Sequence, residues 1–156
     1  MSQAPRIAYY QLAPKSFNAL LNLSNGLRRD LLGAKLVDLV LLRVSQINGC
    51  AFCIDMHWSD LIKMGEDPRH LNAVAGWREA PFFTERERAA LRWAELVSQI
   101  PATDPSDEEF AKLRAHFSDE EIAALSFVIV TITSWNLLNV SLRNPVPAKP
   151  YAAEAA

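Results

Sequence analysis

The chain has 156 residues, half of them apolar, 22% charged, and a net charge of −2. That length suits one domain with a real hydrophobic core, and the interleaved charges leave no basic cluster for a nucleic-acid partner. Two cysteines three residues apart exclude a framework of cross-links between distant segments.

Met1 to Tyr10 contains Pro5, Arg6 and two tyrosines but no apolar run, so no secretory leader is expected and the compartment is read as cytoplasmic. Pro14 opens a helix that runs to an Asn25-Gly26 stop. Val37, Val40, Leu41, Val44 and Ile47 recur at helical intervals and predict a helix over Ala34 to Ile47, stopped by Asn48 and Gly49. The next helix is expected to carry Cys50 in its first turn, with Cys53 and His57 on the following turns. Asp67 with Pro68 marks a further start. Thr84 with Glu87, Ser106 with Glu109 and Ser118 with Glu121 fit the capping-box pattern. Leu91, Ala94, Leu96 and Val97 supply an apolar stripe after the first of these.

From Ile122 to Leu142 there is no charged residue, and that length could cross a bilayer. Phe127 to Thr133 is also rich in β-branched residues, as a strand would be. Ser126, Thr131, Thr133, Ser134, Asn136, Asn139 and Ser141 interrupt the run, so a helix buried among other protein helices is expected, with no membrane partner. No segment alternates with period two. The expected fold is all-α, six to eight helices in a single domain over 1–145. The tail over 146–156, with Pro147, Pro150 and a run of alanines, is expected to be extended or disordered.

The chemistry concentrates in Ser45 to Trp58. Helical residues three apart lie close enough for a disulfide, so Cys50 and Cys53 can close and reopen without moving the chain far. A helix N-terminus stabilises a thiolate and favours Cys50, whereas His57, four residues after Cys53 on one face, favours Cys53. Spacing leaves both open. Asp38 stands among apolar Val37, Leu39 and Val40, either as part of a proton relay or as a solvated charge beside Lys35. Asp60 either orients the His57 ring or is a surface charge. Cys50, Cys53 and His57 supply three metal ligands where structural zinc needs four, and His70 and His116 lack ligand spacing. No metal and no cofactor are expected. Two inert core cysteines are the plainer alternative.

The stretch Leu36 to Gly65, with Asp38, Asn48-Gly49-Cys50, Cys53, His57 and Gly65, resembles the core motif of the AhpD-like alkylhydroperoxidases of the carboxymuconolactone decarboxylase superfamily. Trp77 to Phe83, Glu85 to Glu95, and Phe117 to Asn139 with Trp135 and Asn136 extend the likeness to short single-domain members, over roughly Ile7 to Pro145. The resemblance implies an all-helical fold assembled as a homo-oligomer, trimer or hexamer, with sites close to subunit contacts. It implies that Cys53 attacks a small peroxide and becomes a sulfenic acid, with His57 helping to deprotonate it. Cys50 then resolves it to a disulfide, Asp38 belongs to the relay, and an external dithiol reduces the pair. Two departures stand out: Asp38 replaces the usual glutamate, and Phe52 occupies a position where founding members carry a histidine. The decarboxylase branch lacks the cysteine pair.

The leading reading is therefore a thiol-dependent peroxidase. Rivals are a thiol-disulfide carrier acting on a partner protein, a helical assembly with a vestigial redox site, and a lyase that would need a cation such as Arg43 for its substrate. Trp58, Trp77, Trp93, Trp135, Phe82 and Phe83 are more large aromatics than a compact helical monomer easily hides, which supports an oligomer.

Overall fold

The structure is a computed structural model that describes residues 4–100 and 102–148. Its helices are α1 (Tyr9–Leu12), α2 (Pro14–Asn25), α3 (Arg29–Leu32), α4 (Ala34–Ile47), α5 (Ala51–Lys63), α6 (Pro68–Asn72), α7 (Glu85–Ser98), α8 (Asp107–Arg114) and α9 (Asp119–Ser141), with a 3-10 turn at Val74–Gly76. Six of these reach eight residues or more among the described residues, and no strand occurs among them. The all-α expectation holds. Most of the tail expected to be extended or disordered, from residue 149 on, lies outside the described residues.

Helix α4 is the hub because it is apolar on more than one face. Val37, Val40, Leu42 and Val44 are fully buried, and the helix packs on α5, α7 and α9. On one side Val40 and Val44 join Leu125, Ile129 and Ile132 of α9. On the other, Leu39 and Leu42 join Leu61 of α5 and Leu91 of α7. The loop between the 3-10 turn and α7 is tied down by Arg88, whose guanidinium donates to the carbonyls of Trp77, Arg78, Ala80 and Phe83.

The helix starts follow local chemistry. Thr84 and Ser118 form reciprocal capping boxes with Glu87 and Glu121, and Asp67 accepts the Arg69 backbone N–H at 2.8 Å. Ser106 behaves differently. Its hydroxyl accepts the Glu109 N–H, but the Glu109 carboxylate turns instead to Arg92 at 2.9 Å. A charge-assisted bond outweighs the return bond to a backbone amide, so the box is half-formed.

Helix α9 is long and apolar enough to cross a membrane by length and composition, yet one face lies in the core. Leu125, Val128, Ile129 and Ile132 are buried, while Phe127, Val130, Leu137 and Val140 on the other side are exposed. The expected burial among protein helices thus applies to one face only. Of the tryptophans, Trp77 and Trp93 are buried, Trp135 is half-buried, and Trp58 is exposed.

The N-terminal pair α1 and α2 has no fully buried residue. It is held against α9 by particular bonds: the Arg6 N–H donates to the Leu142 carbonyl at 2.9 Å, and the Trp135 indole donates to Ser24 Oγ at 2.7 Å. Phe17 also sets its ring edge-on to Trp135.

Candidate functional site

The turn between α4 and α5 builds the site. Helix α4 ends at Asn48, and Gly49 takes a φ of +66°, a left-handed conformation that costs a glycine little. The Gly49 N–H then bonds to the Gln46 carbonyl and the Cys50 N–H to the Ser45 carbonyl. This closes the last turn of α4 in a Schellman motif and reverses the chain at once. Cys50 is left as the N-cap of α5 rather than inside its first turn, with Cys53 one turn on and His57 a further turn. A second motif of the same kind, at Gly65, ends α5.

Cys50 and Cys53 are free thiols, each 1% exposed, with their sulfurs 2.8 Å apart. A disulfide sulfur pair is about 2.05 Å apart, so closure needs less than about 1 Å of approach. At that distance the two thiols ionise as a linked pair. The bond from Cys53 lowers Cys50 to about 7, against burial, and the Cys53 backbone amide with Asn136 and Asn139 adds to the effect. Cys53 is pushed up by the same bond, by burial and by the Cys50 charge. Of the two thiols, therefore, Cys50 ionises first and Cys53 holds its proton longer.

Helix α4 delivers Asp38 from the other side. Its carboxylate lies 3.0 Å from His57 Nδ1 and 3.5 Å from Arg29 Nε, and both Asp38 and His57 are buried. Of the two readings open for Asp38, the packing of α4 on α5 selects the buried one: it faces His57, while Lys35 pairs with Glu66 instead. His57 Nε2 is buried and has no hydrogen-bond partner among the described residues. Asp60 is half-buried, lies 3.2 Å from Lys63 Nζ, and does not hydrogen-bond the His57 ring. Asp38, His57 and Asp60 each bring one possible ligand atom within 4.8 Å of the others. Asp38 also bonds His57 and Arg29, and Asp60 pairs with Lys63, while His57 Nε2 is left without a partner among the described residues.

A cavity of about 500 Å³ opens over Cys53 and His57. Cys50 does not line it. Its walls come from α2 (Phe17, Leu21), from Tyr9 and Tyr10, from Phe52 and Met56 of α5, and from Ile132 and Trp135 of α9. Phe52, standing where the resemblance expects a histidine in founding members, is thus a wall. Thr131 also lines the cavity, and its hydroxyl has no partner among the described residues.

Arg43 is elsewhere. It bonds Glu95, which also accepts from Arg78 and from the Trp77 indole, and it is absent from the cavity lining. Burial opposes the Glu95 charge, but Arg78, Trp77 and Arg43 together hold its carboxyl below the ordinary range. The cation named for a lyase is thus taken by Glu95, while Arg29, 3.5 Å from Asp38, does line the cavity.

Three groups escaped the sequence reading: Asn139, Tyr9 and Asn136. Asn139 donates from Nδ2 to Cys53 Sγ at 3.3 Å and accepts the Tyr9 hydroxyl at 2.9 Å. Asn136 donates to Ser45 Oγ and accepts from Asn48, bracing the end of α4 beneath the cysteines. In the sequence both asparagines register as polar interruptions of an apolar segment and as part of the stretch that carries the resemblance, with no role at the cysteines. Their three-residue spacing, which puts two amides on one helix face, was the available signal.

The comparisons with known proteins concern the family and the fold. The family model of the carboxymuconolactone decarboxylase family matches residues 14–96. The chain is 35% identical over 149 residues to the uncharacterized protein YdfG of Bacillus subtilis (strain 168), spanning 96% of this chain and all of YdfG. Among solved structures it is similar to a protein of unknown function from Agrobacterium tumefaciens with a proposed AhpD antioxidant-defence role. That match has 40% identity and a TM-score of 0.89, and it spans 94% of this chain and 100% of that one. The AhpD-core, uncharacterized peroxidase-related protein of Ralstonia eutropha JMP134 shares the fold, with a TM-score of 0.77 at 20% identity over 89% of this chain and 74% of that one. The chain belongs to the carboxymuconolactone decarboxylase family, in the superfamily of the AhpD-like proteins.

Proposed function

We propose that the protein is a thiol-dependent peroxidase that uses the Cys50–Cys53 pair with His57 and Asp38. The observation that carries this reading is that the cavity reaches Cys53 and His57 while Cys50 waits 2.8 Å behind, as attacker and resolver must be placed.

The chemistry follows from the charges. Cys50 ionises first, so attack begins when the Cys53 proton leaves for Cys50 or for His57 Nε2. The Cys53 thiolate then attacks the distal oxygen of an organic peroxide, ROOH, and the O–O bond breaks. Cys53 becomes a sulfenic acid, and the alkoxide takes the proton that Cys53 gave up, back from Cys50 or His57, and leaves as ROH. The Cys50 thiolate next displaces hydroxide from the Cys53 sulfur, forming the disulfide and, with one more proton, water. Two thiols have given two electrons to one peroxide. An external dithiol returns them by exchange. Asp38 fixes the His57 tautomer and offsets the charge that a protonated ring would carry. Both sulfurs are almost inaccessible, which favours a small peroxide over direct exchange with a folded partner protein.

The working unit we propose is a homo-oligomer. Phe127, Val130, Leu137 and Val140 make an uncharged exposed strip along α9. A strip of one character is self-complementary across a two-fold axis, so a second copy of this chain is the occupant it fits.

The test of function is free thiol content after brief exposure to stoichiometric organic peroxide. The native protein should lose both thiols, and Cys50→Ser should trap a sulfenic acid that Cys53→Ser does not form. Thiol loss no faster than for a simple free thiol in all three proteins rejects the peroxidase reading.

A further inference from the structure

Cys53 presents a difficulty that the cysteine-histidine motif does not resolve. It faces the cavity, yet burial and its neighbour both disfavour a charge on it, so something must stabilise its thiolate at the moment of attack. The Asn139 amide is placed to do so, with Nδ2 donating to Cys53 Sγ at 3.3 Å. An amide has two ends of similar shape and opposite polarity. If it were reversed, it would turn oxygen lone pairs toward a sulfur that must carry negative charge.

The orientation is set from the N-terminal segment. The Tyr9 hydroxyl donates to Asn139 Oδ1 at 2.9 Å, which leaves the N–H end toward the sulfur. Tyr9 and Asn139 both line the cavity, and Asn139 is 5% exposed. Helix α1 buries none of its residues fully, so the core does not explain why it is held in place. Its anchor at Arg6, whose backbone N–H and guanidinium both bond carbonyls at the end of α9, keeps Tyr9 over Asn139.

We infer that Tyr9 and Asn139 are positioning residues for Cys53: Tyr9 holds the Asn139 amide with its N–H toward the sulfur, and that N–H stabilises the Cys53 thiolate. This deepens the proposed function and rests on its assignment of Cys53 as the attacking sulfur. It also gives the N-terminal helices a part in the chemistry. Their contact with the reacting atom runs through one hydroxyl and one amide.

The test uses thiol ionisation and needs no peroxide. In a Cys50→Ser background only one thiol titrates, and its alkylation by iodoacetamide is followed from mildly acidic to strongly alkaline pH. Asn139→Leu keeps the side-chain size and removes the N–H without adding a charge beside the sulfur. Tyr9→Phe removes only the orienting hydroxyl at a half-buried position. For Asn139→Leu, alkylation near pH 7 should fall roughly tenfold, the scale of one hydrogen bond to a charged group, and recover at alkaline pH. Tyr9→Phe should fall about two- to threefold with the same recovery. Profiles that superimpose on the parent overturn the inference, and so does slowing by one constant factor at every pH, which would be an effect on access or packing. If peroxide reacts with the native protein and these profiles do not move, the inference alone fails. If the profiles move and peroxide does not react, the peroxidase reading alone fails.

Discussion

Replacing Asp38 with asparagine tests the proton relay without disturbing its shape. The amide of Asp38→Asn would still offer an oxygen to the His57 Nδ1–H, so the tautomer and ring orientation survive while the charge goes. In the native site the carboxylate sits 3.0 Å from Nδ1, with Arg29 at 3.5 Å on its other oxygen. When His57 takes a proton on Nε2, two opposite charges about 4 Å apart at an effective dielectric near 20 attract by about 4 kcal/mol. Arg29 already draws on the same carboxylate, and a net loss of about 2 kcal/mol corresponds to a rate about 30-fold lower. Stopped-flow thiol loss with an organic peroxide near pH 7 measures it, beside a urea melt to show that the fold persists. The matching Asp38→Leu variant should also lose about 1–3 kcal/mol of stability, because Nδ1 would then be buried without a partner. A rate for Asp38→Asn within threefold of the native protein would refute the relay.

Thiolate absorbance should report one ionisation with a midpoint near 7, the value to which Cys50 is lowered, rather than near the ordinary 9.0. The sign is a gain of thiolate as pH rises, with the Cys53 proton retained well beyond that point, and a single step near 9 would contradict it. Glu95→Leu should cost about 3 kcal/mol in urea unfolding, because Arg43 would be left in a largely buried position without its carboxylate. The Glu95 carboxyl is lowered in the folded state, so its contribution is present above its ordinary 4.5 and lost as the pH falls below that. The native protein should therefore lose stability in acid faster than Glu95→Leu, and parallel acid profiles would remove the pairing as a stabiliser. Leu137→Glu, at an exposed position in the α9 strip, should shift the protein toward monomer in sedimentation while leaving helix content unchanged. A native protein that already sediments as a monomer would reject the strip as an interface.

Local chemistry carried much of this molecule. The Thr84 and Ser118 capping boxes, the Asp67-Pro68 start and the Asn48-Gly49 stop each depend on residues within one helical turn of one another, and all are found where the chain places them. The Cys50, Cys53 and His57 spacing is of the same kind: three- and four-residue steps on α5 fix neighbours whatever surrounds them. What lies between helices was decided by packing. Asp38 meets His57 because α4 crosses α5 with that face inward, and Arg43 meets Glu95 on α7 rather than the cavity. The cavity reaches Cys53 and not Cys50 because α2, α5 and α9 converge on one side of the turn. Asn139 and Tyr9 are 130 residues apart, and no periodicity links a tyrosine at the start of the short helix α1 to an amide in an apolar helix. Helix geometry sets distances along one element from sequence separation alone. Distances between elements depend on which faces the whole core buries, and only the folded chain settles that.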